Sequence, residues 1–444
     1  MKRIKKRLPK ELVQAQIESF SHDGRGIARI NGKTTFITGA LEHEIVSFIY
    51  TRKKKDFDEG VVSSIEKASE FRIEPACQHY EICGGCSLQH LANDAQINAK
   101  QTALLDGLKR IGKAVPKNIL TPIAGENWHY RNKARLSCRY VEKKGDVLVG
   151  FREKNNARYI ADIHTCLVLN KKVADEIDNL RKLLASFSDP KSIAQIEVAA
   201  GDEEVGLIFR NLAELTENDK GNIRNFADKT KFKIYLQPSG EDSVHLFYPE
   251  NVTDFLTYSI PDYNVQYKFK PTDFTQVNSS INQQMIVKAL EYLNIQDTDV
   301  VLDLFCGLGN FSLPIALNCK KVIAVEGSSA MVVRGKMNSL ENSIENIDFL
   351  AVNLDEENTL DNPIYKEANK MLLDPPRIGA LALVKQIGKL NIQRIVYISC
   401  NPITLARDTD ILVNQLGYNL LAAGVMDMFP NTAHVESIAV FVKE

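Results

Sequence analysis

The residues best placed to do chemistry are the cysteines, eight in all: Cys77, Cys83, Cys86, Cys138, Cys166, Cys306, Cys319 and Cys400. Cys400 lies in RIVYISCNPITLARD. An apolar, β-branched run over residues 394–399 ends at this thiol, Asn401-Pro402 breaks the strand, and a helix is expected from near Ile403. A thiol at the carboxyl end of a strand in an α/β sheet faces the crevice where such sheets bind ligands. As a thiolate it is a strong nucleophile near neutral pH. The plainer fate of a cysteine is burial as a small apolar residue, so the reading of Cys400 depends on its surroundings. Three other cysteines form a Cys-x5-Cys-x2-Cys pattern in PACQHYEICGGC, where Gly84-Gly85 lets the loop turn tightly enough for thiols to converge. A four-coordinate site needs a fourth ligand. Cys166, in DIHTCLVL, is the best choice, and Cys138 is its rival but alternates within an apparent strand (ARLSCRYV). Zinc and an iron–sulfur cluster both fit the spacing. His79 and His90 flank the loop and read as packing or surface histidines rather than ligands.

Upstream of Cys400, the segment DLFCGLGNFS places Gly307 and Gly309 after an apolar strand, allowing a tight turn and close backbone approach to a ligand. Only GxG is present, not the longer dinucleotide fingerprint. Glu326, ending VIAVE, follows Asp303 by 23 residues, and an acid at about that spacing can bind ribose hydroxyls. With no phosphate-binding lysine, a nucleoside-type cofactor lacking a pyrophosphate is favoured, and S-adenosylmethionine fits best. LLDPPR ends another strand in Asp374 and a proline-stiffened loop. MDMFPNTAHVES puts His434 and Glu436 between the last two strands, where a carboxylate can point at the crevice of Cys400.

These residues need a scaffold. From about residue 262 strand and helix alternate: strands are expected at 300–305, 322–326, 348–353, 371–374, 394–399, 420–426 and 438–442, helices at 328–342 and 380–390. Seven strands with six crossovers describe a doubly wound, Rossmann-like sheet. Residues 11–64 read instead as five short strands (VQAQIESF, GIARI, KTTFIT, EIVSFIYTRK, EGVVSSIEK) with glycine turns, a pattern that fits a small OB-like barrel. Residues 87–112 read as one helix. WHYRNKARLSCRY reads as a strand whose Arg131, Lys133 and Arg135 share one face, interleaved with Trp128 and Tyr130. That face would suit single-stranded RNA, with charge for phosphates and rings for bases. Residues 171–250 are mixed α/β without a sharp motif. The division expected is a barrel over 1–65, a central domain with the cysteine loop over 66–262 and a catalytic domain over 263–444.

The chain has 444 residues and a net charge of −1. Residues 1–55 carry thirteen Lys/Arg, nearly half of them before Glu11, against five acids, so a basic module sits on an acidic body. That distribution favours a polyanion partner. No run is apolar enough to span a bilayer, and the basic start is followed by no apolar signal region. The expected setting is the cytoplasm, where clustered thiols serve metals or catalysis rather than disulfides.

TDFTQVN, DLFCGLGNFSLPIA, LLDPPR, ISCNPITLARD and FPNTAHVESI together resemble the RNA uracil-5-methyltransferase family, and the resemblance covers essentially the whole chain. The barrel resembles a TRAM domain. With the cysteine loop and GGCSLQHL it narrows the likeness to the iron–sulfur branch acting on 23S rRNA. The likeness implies that Gln276, Phe305, Asn310, Glu326, Asn353 and Asp374 contact S-adenosylmethionine. It implies that Cys77, Cys83, Cys86 and Cys166 hold a [4Fe-4S] cluster, that Cys400 is the nucleophile and that Glu436 is the base. It further implies a monomer with no membrane or obligate protein partner. Leu167, where relatives often carry Pro, is a small departure. A methyltransferase for another rRNA uracil or for tRNA is the alternative, and a non-catalytic RNA-binding or redox-sensing protein a more distant one.

Overall fold

The computed structural model describes residues 11–21 and 23–443; the basic residues Lys2 to Lys10 lie outside them. The first sheet has six strands: β1 (Val13–Gln16), β2 (Ser19–Phe20), β3 (Gly26–Ile30), β4 (Lys33–Thr38), β5 (Ile45–Lys53) and β6 (Phe57–Lys67), in the order β1-β5-β6-β4-β3-β2. VQAQIESF, expected as one strand, is two. β1 pairs with β5, then the chain bends at Ile17-Glu18 and β2 pairs with β3, so one bent segment joins both edges and the ladder closes into a barrel. Ile17, Ile37, Val46 and Phe48 fill its interior.

The barrel is fastened to the body through Glu44, which is fully buried. Its carboxylate accepts from Arg72 Nε at 2.6 Å and Nη2 at 2.8 Å, and from the amides of Leu41 and Ser69. Burial alone would raise its proton affinity, but Arg72 and the two amides outweigh burial and hold the carboxyl below its ordinary value.

Next come α1 (Asn93–Arg110) and β7 (Asn118–Ile119). The helix is shorter than expected, because residues 87–92 turn back toward the loop at 431 instead of winding. A mixed central sheet follows: β8 (Lys133–Val141), β9 (Asp146–Gly150), β10 (Ile193–Ala200), β11 (Val205–Asn211), β12 (Lys233–Leu236) and β13 (His245–Tyr248). It is accompanied by α2 (Lys171–Ala174), α3 (Ile177–Ala185) and α4 (Glu217–Thr230), and the hairpin β14 (Leu256–Ile260) and β15 (Val265–Phe269) leads onward.

After α5 (Ser279–Leu293) comes the sheet that carries the site: β16 (Val300–Leu304), α6 (Ser312–Ala316), β17 (Lys321–Glu326), α7 (Ser329–Glu341), β18 (Ile347–Ala351), β19 (Lys370–Leu373), α8 (Leu381–Val384), β20 (Arg394–Ser399), α9 (Pro402–Asn414), β21 (Asn419–Met426) and β22 (Glu436–Val442). Its order is β18-β17-β16-β19-β20-β22-β21, extended by β7 beside β21. The seven expected strands are present. The last connection is an antiparallel hairpin rather than a crossover, so five parallel crossovers precede it. Its strands are nearly continuously apolar because helices cover both faces.

α7 is held close to β18 by a glycine. A Cβ on Gly335 would sit 2.5 Å from Phe349 Cε1. Alanine is better than glycine in a helix by about 1 kcal/mol, but overpacking a core costs about 1–3 kcal/mol. Gly335→Ala should therefore lower the thermal midpoint by several degrees, and adding Phe349→Leu should recover part of the loss in a melt followed by circular dichroism.

Candidate active site

Strand order reverses between β16 and β19, and the crevice at a switch point of this kind is where open α/β sheets bind ligands. β16 enters it through Asp303, then the chain turns sharply. Phe305 adopts φ +66°, unusual for a non-glycine residue, and Gly307 and Gly309 have φ +55° and +91°. A Cβ on Gly309 would meet Leu313 Cδ1 at 2.5 Å, so the turn is closed to larger residues. At the end of β17, Glu326 accepts from Gly307 N at 3.1 Å and Ser328 N at 2.8 Å, which fixes its carboxylate at the crevice rim with lone pairs to spare.

The crevice concentrates acids. Asp303 is fully buried; Ser312 Oγ bonds one oxygen at 2.5 Å and the other has no partner among the described residues. Burial, then Asp374 and Glu326 nearby, push Asp303 up to about 7 against the Ser312 bond. Burial likewise pushes Asp374 up to about 7.

Cys400 and Glu436 meet through sheet register. On adjacent antiparallel strands Ser399 pairs with Ser437, so the residues just beyond them at that edge, Cys400 and Glu436, are neighbours. Glu436 is thus the first residue of β22, not part of the preceding loop, and only 3% exposed. Burial and then the field of Asp374 raise its proton affinity well above the ordinary carboxylate value. Burial, then Glu436 and Asp374, push the Cys400 thiol up to about 11, with Arg377 pulling the other way. Asn401 caps α9, its side chain accepting from Ile403 N at 3.1 Å and donating to Arg377 O at 2.9 Å, so the thiol and the Arg377 loop are locked together.

A cavity of about 600 Å³ opens at Cys400. Arg377, Arg131 and His434 line it, and so does Asp23 of the barrel. Burial, then Arg377 and Arg131, lower the proton affinity of His434. Cys77, Cys83, Cys86 and Cys166 line the same cavity, whereas Cys138 lies apart in β8. Burial pushes Cys86 up to about 12 and Cys166 up to about 11. Gly84 permits the loop's close packing, since a Cβ there would stand 2.9 Å from the carbonyl oxygen of Arg152. Among the described residues no three His, Cys, Asp or Glu side chains form a group able to hold a single metal ion.

The other predicted site residues divide. Asn310 and Asn282 exchange amide bonds at 2.9 and 3.0 Å, and Tyr258 Oη donates to Asn310 at 3.0 Å. Gln276 lines a small recess with Tyr258 and Asn282, the two residues that bond Asn310. Asn353 is exposed just past β18, its side chain bonded to Glu356 and to Asp355 N. The basic strip is not formed as expected. Lys133 turns inward to the carbonyls of Pro271 and Asp273, Arg135 pairs with Glu197, and Tyr130 is buried with its hydroxyl on Pro430 O. Only Arg131 reaches the cavity. Arg377 was legible in LLDPPR but had no assigned role, and the unpartnered oxygen of Asp303 leaves no mark in sequence.

Sheet order, glycine turn and a crevice thiol beside a buried carboxyl define a methyltransferase-type Rossmann-like enzyme. The chain belongs to the uracil-5-methyltransferase family: residues 92–444 match the family described as tRNA (Uracil-5-)-methyltransferase, and residues 6–48 match the TRAM domain. It is 56% identical, over all of both chains, to the 23S rRNA (uracil(1939)-C(5))-methyltransferase RlmD of Legionella pneumophila (strain Lens). It is 49% identical, over 98% of each, to the enzyme of the same name from Francisella tularensis subsp. novicida (strain U112). The solved structure of the tRNA (uracil-54, C5)-methyltransferase of Pyrococcus abyssi, in complex with S-adenosyl-L-homocysteine, shares the fold with TM-score 0.72 at 23% identity, covering 97% of this chain and 100% of that one. No helix among the described residues is long and apolar enough to cross a membrane.

Thiolate supply gives a pH test. With Cys400 at about 11, its thiolate fraction climbs about tenfold per pH unit from 7 to 10, where an ordinary thiol near 8.5 would level off above pH 9. Alkylation of the Cys400 peptide, followed by mass spectrometry, should show that uninterrupted climb.

Proposed function

We propose that this protein methylates C5 of a uracil in 23S rRNA with S-adenosylmethionine as methyl donor. The observation that carries the reading is the pairing of the Cys400 thiol with the buried carboxyl of Glu436 by the register of β20 and β22. Full-length relatives named for that reaction at uracil 1939 support the substrate.

C5 of uracil is a poor nucleophile. Addition of the Cys400 thiolate to C6 makes C5 an enolate carbon that can attack a methyl sulfonium. The donor supplies an electrophilic methyl group and a positive charge that supports the developing anion. We place Gln276, Phe305, Asn310, Glu326, Asn353 and Asp374 around it, with Glu326 as the ribose acceptor. Glu436 then takes the C5 proton and the C6–S bond breaks, releasing the thiolate. Burial suits Glu436 to that task, because a base with raised proton affinity accepts the proton more readily. The uracil must leave its stack to reach the cavity, where Arg131 and Arg377 offer guanidinium groups to flanking phosphates.

We further propose that Cys77, Cys83, Cys86 and Cys166 hold a [4Fe-4S] cluster with a structural role. Four thiols lining one cavity, three of them on the loop that Gly84 lets pack closely, support the donor set. A bound iron–sulfur centre would also relieve the burial that raises Cys86 and Cys166, since ligation replaces the proton. The proposed division is a barrel over 1–65, a central domain over 66–262 and a catalytic domain over 263–444. Strand β7 and helix α1 of the central segment pack onto the catalytic sheet.

Cys400→Ala should abolish methyl transfer, about a thousandfold or more, while changing RNA affinity little in a filter-binding assay with 23S rRNA. Glu436→Gln should transfer the methyl group but leave a covalent protein–RNA adduct on a denaturing gel. A mutant that turns over normally would remove Glu436 from the mechanism. Anaerobically purified protein should be brown and contain iron and acid-labile sulfide; zinc without sulfide would replace the cluster reading.

A further inference from the structure

Residues 427–435 join β21 to the strand that begins with Glu436. They carry a dense buried polar network that the reaction itself does not use. Asn431 is 1% exposed and holds φ +65°. Its carbonyl accepts from Ser87 N and Leu88 N, both at 3.0 Å. Its amide N donates to Gln96 Oε1 at 2.9 Å, and its side chain donates to Asn127 O at 3.0 Å. Ser87 Oγ in turn accepts from Ala433 N at 3.0 Å. Lys100, 3% exposed, reaches Asp427 at 2.7 Å and Phe429 O at 3.1 Å. Ser87 directly follows Cys86. Two segments far apart in sequence are therefore bonded residue to residue: the cysteine loop on one side, and the loop that delivers Glu436 on the other.

We infer that Asn431 is a positioning residue for the proton-removal step, and that through it the cysteine loop sets where the Glu436 carboxyl points. The physical reason is one of leverage. Glu436 has no hydrogen bond or ion pair to its carboxyl among the described residues, so its direction is set by the backbone that carries it. That backbone is held by β20 through Ser437 and by β21 through the pairing of Glu436 itself with Met426. The segment that leads into it is held by the network at Asn431. A buried polar network with every member bonded fixes a single arrangement, and one missing member leaves its partners unsatisfied. The inference rests on the reading of Glu436 as the base.

Asn431→Gly is the informative variant, since glycine accepts the positive φ and only the side-chain amide is lost. Ser87→Ala is a milder companion that removes the acceptor for Ala433 N. In single-turnover assays with 23S rRNA fragments, methyl transfer should change less than about threefold in either variant. Release of the covalent adduct should slow about tenfold or more in Asn431→Gly, which loses both side-chain hydrogen bonds, to Asn127 O and from Gln96 Nε2. Equal slowing of both steps, or of neither, overturns the inference. A second arm does not depend on catalysis. Amide hydrogen exchange over 427–435 should quicken about tenfold or more in Asn431→Gly and in Cys86→Ser, with β20 remaining protected. Unchanged exchange in Cys86→Ser overturns the link to the cysteine loop. If Glu436→Gln shows no adduct while the exchange result holds, the assignment of Glu436 fails and the structural joint stands.

Discussion

The site is governed by like charges held in a dry place. Asp303, Asp374 and Glu436 converge at one edge of one sheet, close to the Cys400 thiol, and each is desolvated. Taking a carboxyl out of water favours its neutral form, and neighbouring carboxylates add to the effect. The sign matters for folding. A carboxyl whose proton affinity is higher in the folded state costs stability as pH rises from its unfolded value, 3.8 for Asp303 and Asp374, to about 7. The fold tolerates this because the cost falls where a cationic ligand would return it.

Much of the surrounding architecture answers that constraint. Continuously apolar strands with helices on both faces make the crevice dry. The glycine turn brings backbone rather than side chains toward the ligand. Arg377 and Arg131 line the cavity, and the Arg377 guanidinium opposes the inner acids and lowers the cost of a thiolate at Cys400. Cys400, Glu436 and the loop between Asp374 and Arg377 come from three adjacent strand ends, so their spacing follows from strand separation rather than from flexible loops.

The catalytic sheet was legible because its signals are local. Mostly apolar strands of four to eight residues, each closed by Gly, Pro, Asn or an acid, mark β16, β17, β19, β20, β21 and β22 to within a few residues. Cys400 and Glu436 were legible for the same reason: each ends or begins a strand. What was not legible depends on contacts far apart in the chain. Lys133 reads as an exposed cation in an alternating strand, but the carbonyls that draw it inward lie 138 and 140 residues away. The bent barrel strand reads as continuous because nothing in VQAQIESF signals that its two halves serve different partners. Gln96 and Asn431, 335 residues apart, are unremarkable amides until the fold brings them together. Asn353 has the sequence position of a cofactor contact and the local bonding of a surface turn.

The fastening of the barrel has a consequence for how a long polymer is gripped. Glu44, shielded from water and held by Arg72 and two amides, makes the junction stiff, and Gly24 of the barrel lies so near the catalytic loop that a Cβ there would touch Ala433 and Leu88 at 3.1 Å. Two modules on a slack linker hold a polymer with an effective concentration diluted by every conformation the linker explores. Here the exploration is suppressed in advance. An RNA strand that engaged the barrel would find the cavity at one fixed offset, so such a joint would measure distance as well as hold, and a site whose landmark lay at the wrong distance from its uracil would gain nothing from the second grip.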